Sequence, residues 1–359
     1  MMRHRYIKAL AALATSSVLA AAFSAPAVAA PGDDKAPVKI RIAQQPQRWG
    51  LEWYIATQKG WWKQVGLDPV MSTFSSGAPE IAAGASGSWD VGGAGNIPSV
   101  LGASRYGLQT IGLADGEAAI ISIMATKDKA DAYAKNPALL KGKTIPVTTN
   151  STGHWGAAVC LEKKFGLKPD DYRFVNLSPS EINAAVNSGR YDVAQVWAPN
   201  TYILESTIGA KVICTGADVG LPITSNLFVT PAFAKENPDA VAKFLAVYLR
   251  AVAWQRANPK EAEAYLGAFF KSVGVNIPPE YLARELRDRP AYTLAEQLKI
   301  FDGGEKSQMA DWWMQVSKFM ESVGVVRKIP SVKDHVTNKY LLMIQNDPKL
   351  KAFAENTGD

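Results

Sequence analysis

The residues of this 359-residue chain best placed to do chemistry are hydroxyls and amides rather than histidines and cysteines. The turn Thr149-Asn150-Ser151-Thr152-Gly153-His154 lies between a strand-like run at 143–147 and a helical stretch that runs through Gly156 to Phe165. Such a turn presents the unpaired N–H groups of a helix start, and with them the positive end of the helix dipole. Ser151 and Thr152 add hydroxyls, and Gly153 lets a ligand approach the backbone closely. An anionic group would fit there without any lysine. Ordinary capping by Ser151 or Thr152 accounts for the same residues, and the two roles are compatible because different N–H groups serve each.

A second polar turn, Gln44-Gln45-Pro46-Gln47-Arg48-Trp49-Gly50, follows the first strand-like run of the chain. The amides of Gln45 and Gln47 with Trp49 suit a ligand-facing loop at the carboxyl end of a strand in an open α/β sheet. Ser76 and Asn96 follow the next two strands and belong to the same rim. Trp197 is the aromatic expected to face the ligand, since it sits at a strand end rather than on a helix face. Asn226, in the strand-like run 223–230, joins the candidates. Asp115 and Glu117 follow another strand in a glycine-containing segment. There the two acids, Glu117 foremost as a site candidate, would meet an amine or hydroxyl on the ligand, or they are solvated turn residues.

Catalytic signatures fail in turn. Gly142-Lys143-Thr144 resembles the end of a phosphate-binding loop, but Pro137 stands where that motif needs glycine. Gly92-Gly93-Ala94-Gly95 lacks dinucleotide spacing, and no Gly-x-Ser-x-Gly elbow occurs. His154 and His335 have no carboxylate or cysteine at metal-ligand spacing. No enzyme activity, cofactor or metal is therefore expected. Asp90 and Asp192 occupy identical contexts, each after a Gly turn at a strand start, which points to a capping task repeated once per half.

That repetition runs through the chain. Lys39-Ile40-Arg41-Ile42, Gly66-Leu67, Glu80-Ile81 and Ser86-Gly87-Ser88-Trp89-Asp90-Val91 recur near a 100-residue offset. Their counterparts are Lys143-Thr144-Ile145-Pro146-Val147, Gly166-Leu167, Glu181-Ile182 and Ser188-Gly189-Arg190-Tyr191-Asp192-Val193. Two similar β/α units imply two lobes with parallel sheets, and a ligand cleft between them. The run 119–124 reads as a strand closing the first unit. After Pro231 the pattern is helical, with Val241, Phe244, Leu245, Tyr248, Leu249 and Val252 on one apolar face, and this tail reads as scaffold on the outside of the lobes.

Residues 1–30 read as a cleaved signal peptide: Arg3, Arg5 and Lys8, then an apolar run, then Ala27-Val28-Ala29. Losing those three cations lowers the formal net charge from +6 to +3, and no basic run with interleaved aromatics points to nucleic acid. The expected product is periplasmic, with no stable membrane insertion. Cys160 and Cys214 either pair in that oxidising compartment or remain buried thiols.

Taken in order, Gly60-Trp61-Trp62, Phe74-Ser75-Ser76-Gly77, Ser86-Gly87-Ser88-Trp89-Asp90-Val91-Gly92, Leu140-Lys141-Gly142-Lys143, Ser151-Thr152-Gly153-His154 and Trp197-Ala198-Pro199 resemble the periplasmic substrate-binding proteins of ABC importers for nitrate, taurine and alkanesulfonates. The resemblance covers about 38–235. It implies the type II periplasmic-binding-protein fold, with two α/β lobes, each a doubly wound, mostly parallel sheet, and a helical C-terminal tail. On that pattern residues 38–124 plus 221–359 form the first lobe and 125–220 the second. It further implies an acid group held at Ser151 and Thr152, contacts from Gln45, Ser76, Asn96 and Trp197, and delivery to an ABC permease with its ATPase subunit. The expected ligand is a small organic anion of sulfonate or carboxylate type. The alternatives are a nitrogen heterocycle, such as a thiamin-pyrimidine precursor or riboflavin, and an enzyme on the same scaffold.

Overall fold

A computed structural model describes residues 36–359; the expected signal peptide lies outside the described residues. Among the described residues ten strands form three sheets: β1 (Val38–Gln44), β2 (Leu67–Thr73), β3 (Val91–Gly95), β4 (Gln109–Gly116), β5 (Ile121–Ala125), β6 (Thr144–Val147), β7 (Arg173–Asn176), β8 (Val193–Trp197), β9 (Lys211–Thr215) and β10 (Thr224–Val229). The first sheet has the order β2-β1-β3-β10-β4, the second β8-β5-β9, and β6 pairs with β7. Pairings β1–β2, β1–β3 and β6–β7 are parallel, as short strands joined by helices require.

The two halves exchange one strand each. β10 runs antiparallel between β3 and β4, although it follows the second half in sequence. β5 runs antiparallel between β8 and β9, although it follows the first half. The sequence expectation that 119–124 closes the first unit is thus corrected. An apolar run has no direction, so periodicity cannot tell which sheet a buried strand will join. The chain crosses between halves twice, between β4 and β5 and between β9 and β10.

The repeated aspartates hold corresponding places. Asp90 pairs with Arg41 of β1 at 2.5 Å, and Asp192 pairs with Lys143, just before β6, at 2.7 Å. Each ties the start of the third strand of its half to the first. Cys160 and Cys214 form a disulfide with a Cα–Cα separation of 6.2 Å. It fastens the turn that ends helix Thr152–Val159 to β9, and its 54-residue span restricts the unfolded chain.

The larger core lies around the first sheet. Helix Pro238–Ala257 buries all six residues of its expected apolar face. Phe244 and Tyr248 meet Trp53 of helix Leu51–Gln58 at ring separations of 5.8 and 5.9 Å. The tail is more than outer scaffold, which corrects the second part of that expectation. Phe319 of helix Gln308–Ser322 reaches the other half and packs against His154 and Trp155.

Candidate functional site

Strand ends and helix starts of both halves meet at a partly open pocket with about 440 Å³ of empty space, open solvent included. Gln45, Gln47, Trp49, Ser76, Glu117, Ser151, Thr152, Gly153 and Trp197 line it. So do Thr149 and Asn150 of the turn marked in the sequence, and Gly77, Gly95 and Pro98 of the turns that carry Ser76 and Asn96, together with Ala78, Ile121, Thr148 and Ser225, which sequence reading did not single out. Ala78 was legible in hindsight, because it follows Ser76-Gly77 at the start of a helix.

Two helices begin at this space, and the residues that carry their free N–H groups line it. Helix Thr152–Val159 begins after Ser151, whose Oγ accepts the N–H of His154 at 3.2 Å. The cap therefore uses the third N–H and leaves those of Thr152 and Gly153 without an intrahelical acceptor. From the other side, helix Gly77–Ala85 has no side-chain cap. Its third residue is Pro79, so the free N–H groups are those of Gly77 and Ala78. Lysine and arginine are absent from the lining. The field at the cavity centre from these two helix starts is positive, and it is fixed by backbone. Apolar walls come from Trp49, Trp197, Ile121 and Pro98.

Orientation of the amides follows from what stands behind them. Arg289 donates Nη1 to Gln47 Oε1 at 2.9 Å. A guanidinium offers only donors, so Gln47 must give it the oxygen and keeps its NH₂ for the cavity side. Gln45 donates Nε2 to Glu80 Oε2 at 2.6 Å. Glu80 is fully buried with no cation beside it, and burial holds its carboxyl well above the ordinary range.

Arg289, itself fully buried, carries three carboxylates: Glu117 at 2.5 Å, Asp115 at 3.1 Å and Glu285 at 3.1 Å. Burial opposes its charge, but Asp115, Glu117 and Glu285 outweigh that and raise its pKa. Burial likewise raises Glu117 and pushes Asp115 up to about 8, against the pull of Arg289. Between the unfolded value near 4 and about 8, the folded protein keeps a proton on Asp115 that the unfolded chain releases. Stability from this group therefore falls as pH rises through that window and levels off above it. Asp115→Asn is expected to flatten the slope of unfolding free energy between pH 5 and 8, read by urea titration. An unchanged slope would remove Asp115 as its source.

Three sequence candidates lie outside the lining. His154 packs edge-on against Phe174 at 5.1 Å and Phe319 at 6.0 Å. It is the third residue of its helix, and the helical rotation carries its ring away from Thr152. Asn96 is buried and donates Nδ2 to the Pro222 carbonyl at 3.4 Å, while its neighbour Gly95 faces the cavity. Asn226 Oδ1 accepts from Thr224 Oγ1 at 3.0 Å on one face of β10. Strand alternation puts Ser225 on the cavity side instead. Arg289 was missed altogether, because nothing in the Arg287-Asp288-Arg289-Pro290 run separates it from solvated tail residues.

The halves touch at this site. Thr152 Oγ1 lies 3.4 Å from the Ile97 N–H of helix Asn96–Tyr106. A methyl group on Gly95 would sit 2.3 Å from that oxygen. Among the described residues no helix is long and apolar enough to cross a membrane.

Comparison with known proteins agrees with this architecture. The taurine-binding periplasmic protein of Escherichia coli (strain K12) is 32% identical over 205 residues, covering 55% of this chain and 60% of the relative. The solved periplasmic aliphatic sulphonate binding protein SsuA of Escherichia coli aligns with a TM-score of 0.69 at 20% identity, covering 84% of this chain and 92% of its own. The alkanesulfonate-binding protein SsuA of Xanthomonas axonopodis pv. citri, bound to MOPS, also gives 0.69, at 21% identity and 84% and 99% coverage. At such identities these two structures speak for the fold, which is that of periplasmic binding proteins. A family model described as NMT1/THI5 like matches residues 50–262. Because that match spans more than half of its length, the chain belongs to the NMT1/THI5-like family, in keeping with its resemblance to the nitrate, taurine and alkanesulfonate binding proteins.

Proposed function

We propose that this protein is a periplasmic receptor that binds a small organic acid, of sulfonate or carboxylate type, and delivers it to an ABC importer. The observation that carries the reading is that Gly77, Ala78, Thr152 and Gly153, the first residues of two helices, all line one cavity that no cation lines. Backbone donors grip an acid oxygen without the desolvation that a buried lysine would bring. Gln47 adds a side-chain donor, and Trp49 and Trp197 would cover the apolar part of the ligand. The lobes would meet at the two crossings, 117–120 and 216–223, and close on the ligand by hinge motion. The task is binding, with a permease and its ATPase subunit as partners. The disulfide fits an oxidising compartment.

Glu117 supports one refinement. Only its Oε1 is engaged by Arg289, so an ammonium or N–H on the ligand would find an acceptor at Oε2. A nitrogen heterocycle would use that acceptor too, stacking on Trp197 and quenching its emission. Thermal-shift titration with taurine, ethanesulfonate, nitrate and acetate tests the main reading. At least one sulfonate or carboxylate is expected to stabilise the protein by about 2.7 kcal/mol at a hundred times its Kd. If none moves the melting temperature while a pyrimidine does, the heterocycle reading replaces it.

A further inference from the structure

Residues 279–289 of the tail touch both halves of the molecule. At one end, Arg289 engages Gln47 and Glu117 at the cavity. One helical turn earlier, Glu285 takes Arg289 Nη1 on Oε1 at 3.1 Å and the Tyr202 hydroxyl on Oε2 at 2.9 Å. Tyr202 belongs to helix Asn200–Ile208, which follows the cavity-lining Trp197 in the other half. Its ring stacks on Tyr281 with centroids 4.9 Å apart and planes 20° from parallel. Arg284 pairs with Glu205 of the same helix at 2.6 Å. A continuous path of buried polar bonds thus runs from Gln47 and Glu117, through Arg289 and Glu285, to Tyr202.

We propose that Arg289 is a positioning residue for the ligand, and that residues 279–289 act as a strap which ties its arrangement to the seated second lobe. Gln47 and Glu117 hold their ligand-facing atoms because the guanidinium fixes their other ends. The guanidinium holds its own place because Glu285 is anchored, and Glu285 is fully satisfied only when Tyr202 reaches it. Closure and ligand geometry are then one event, since the Tyr202–Glu285 bond forms as the lobes meet. A ligand shifts the population toward the closed form by as much as it gains from these contacts. This inference rests on the receptor reading above and adds the element that couples capture to closure.

Tyr202→Phe tests it, because the substitution keeps the ring on Tyr281 and removes only the hydroxyl. With taurine and ethanesulfonate as probes on the full mature chain, affinity is expected to fall about tenfold. The melting temperature without ligand is expected to stay within about 2 °C, since the bond is absent from the open form. A second arm needs no ligand. In a Ser76→Cys, Ser151→Cys background, trapping by a short bismaleimide across the cavity that both residues line reports the closed population, and Tyr202→Phe should slow it at least threefold. Unchanged trapping together with affinity within twofold of the parent overturns the strap. So does a lowered ligand-free melting temperature with unchanged trapping, which marks Tyr202 as ordinary packing. Should neither probe bind the parent protein, the receptor reading fails for those acids, and the trapping arm alone decides the strap.

Discussion

Replacing Arg289 with methionine is expected to remove about 3–5 kcal/mol of unfolding free energy at pH 7. Methionine fills much of the same volume, so the loss does not come from a cavity. It comes from leaving Asp115, Glu117 and Glu285 together in a buried space with no cation among them. Asp115 already holds a proton at pH 7, so the charge left without a partner is on its neighbours, and the cheapest relief is further protonation. The penalty should shrink toward pH 5, where taking up protons costs less. Urea unfolding at pH 5 and pH 7 reads both effects. A loss below about 1 kcal/mol at pH 7, or the same loss at both values, would mean that the carboxylates do not depend on the guanidinium. Arg289→Lys should fall between the two, because an ammonium keeps the charge but lacks the fork that reaches Gln47 and Glu117 together. The same substitution frees the Gln47 amide to turn, so ligand affinity should fall in both variants, and more steeply in the methionine protein.

What the sequence made legible was whatever repeats. The runs Ser86-Gly87-Ser88-Trp89-Asp90-Val91 and Ser188-Gly189-Arg190-Tyr191-Asp192-Val193 mark two copies of one β/α unit before any fold is seen, whereas the ion pairs that their aspartates make with Arg41 and Lys143, each across 49 residues, emerged only in the structure. The turn at Ser151–Gly153 was legible for a different reason: a helix start with small polar residues has unspent N–H groups whatever surrounds it. The return of the chain to the first half at 223–230 was expected, and β10 lies there; the placement of β5 in the second half was hidden, because strand pairing is settled by long-range packing that a local apolar run does not encode. Asn226 was chosen one residue off, since a strand's period of two tells which residues share a face but not which face looks into the cleft. Arg289 was beyond reach. Its significance arises only when the chain folds back across some 170 residues to Asp115 and Glu117, and Arg284 and Arg287, in the helix Leu282–Asp288 just before it, carry the same charge.

Gly95→Val is expected to weaken ligand binding about a hundredfold while leaving the ligand-free melting temperature within about 2 °C of the parent. Gly95 sits at φ −55° and ψ 163°, a backbone setting open to any residue, so valine brings no strain of its own to the open protein. In the closed form its Cβ would lie 2.3 Å from Thr152 Oγ1 and 3.1 Å from Thr152 Cβ. Thr152 cannot swing aside cheaply, because a β-branched side chain is stiff at χ1 and its hydroxyl faces the Ile97 N–H. The wedge therefore acts on one conformation only, and the ligand must supply the energy to close against it. Gly95→Ala should give about a tenfold loss, and adding Thr152→Ala should recover part of it by clearing the space, even though that change also removes a hydroxyl from the site. Calorimetric titration of the four proteins with taurine or ethanesulfonate, whichever stabilises the parent more, measures the series. If Gly95→Val binds as tightly as the parent, the lobes do not come together at Thr152 when ligand is held, and the closed geometry described above is not the one that captures it. If instead the ligand-free protein is destabilised, Gly95 and Thr152 already touch before ligand arrives, and the receptor would rest closed rather than open.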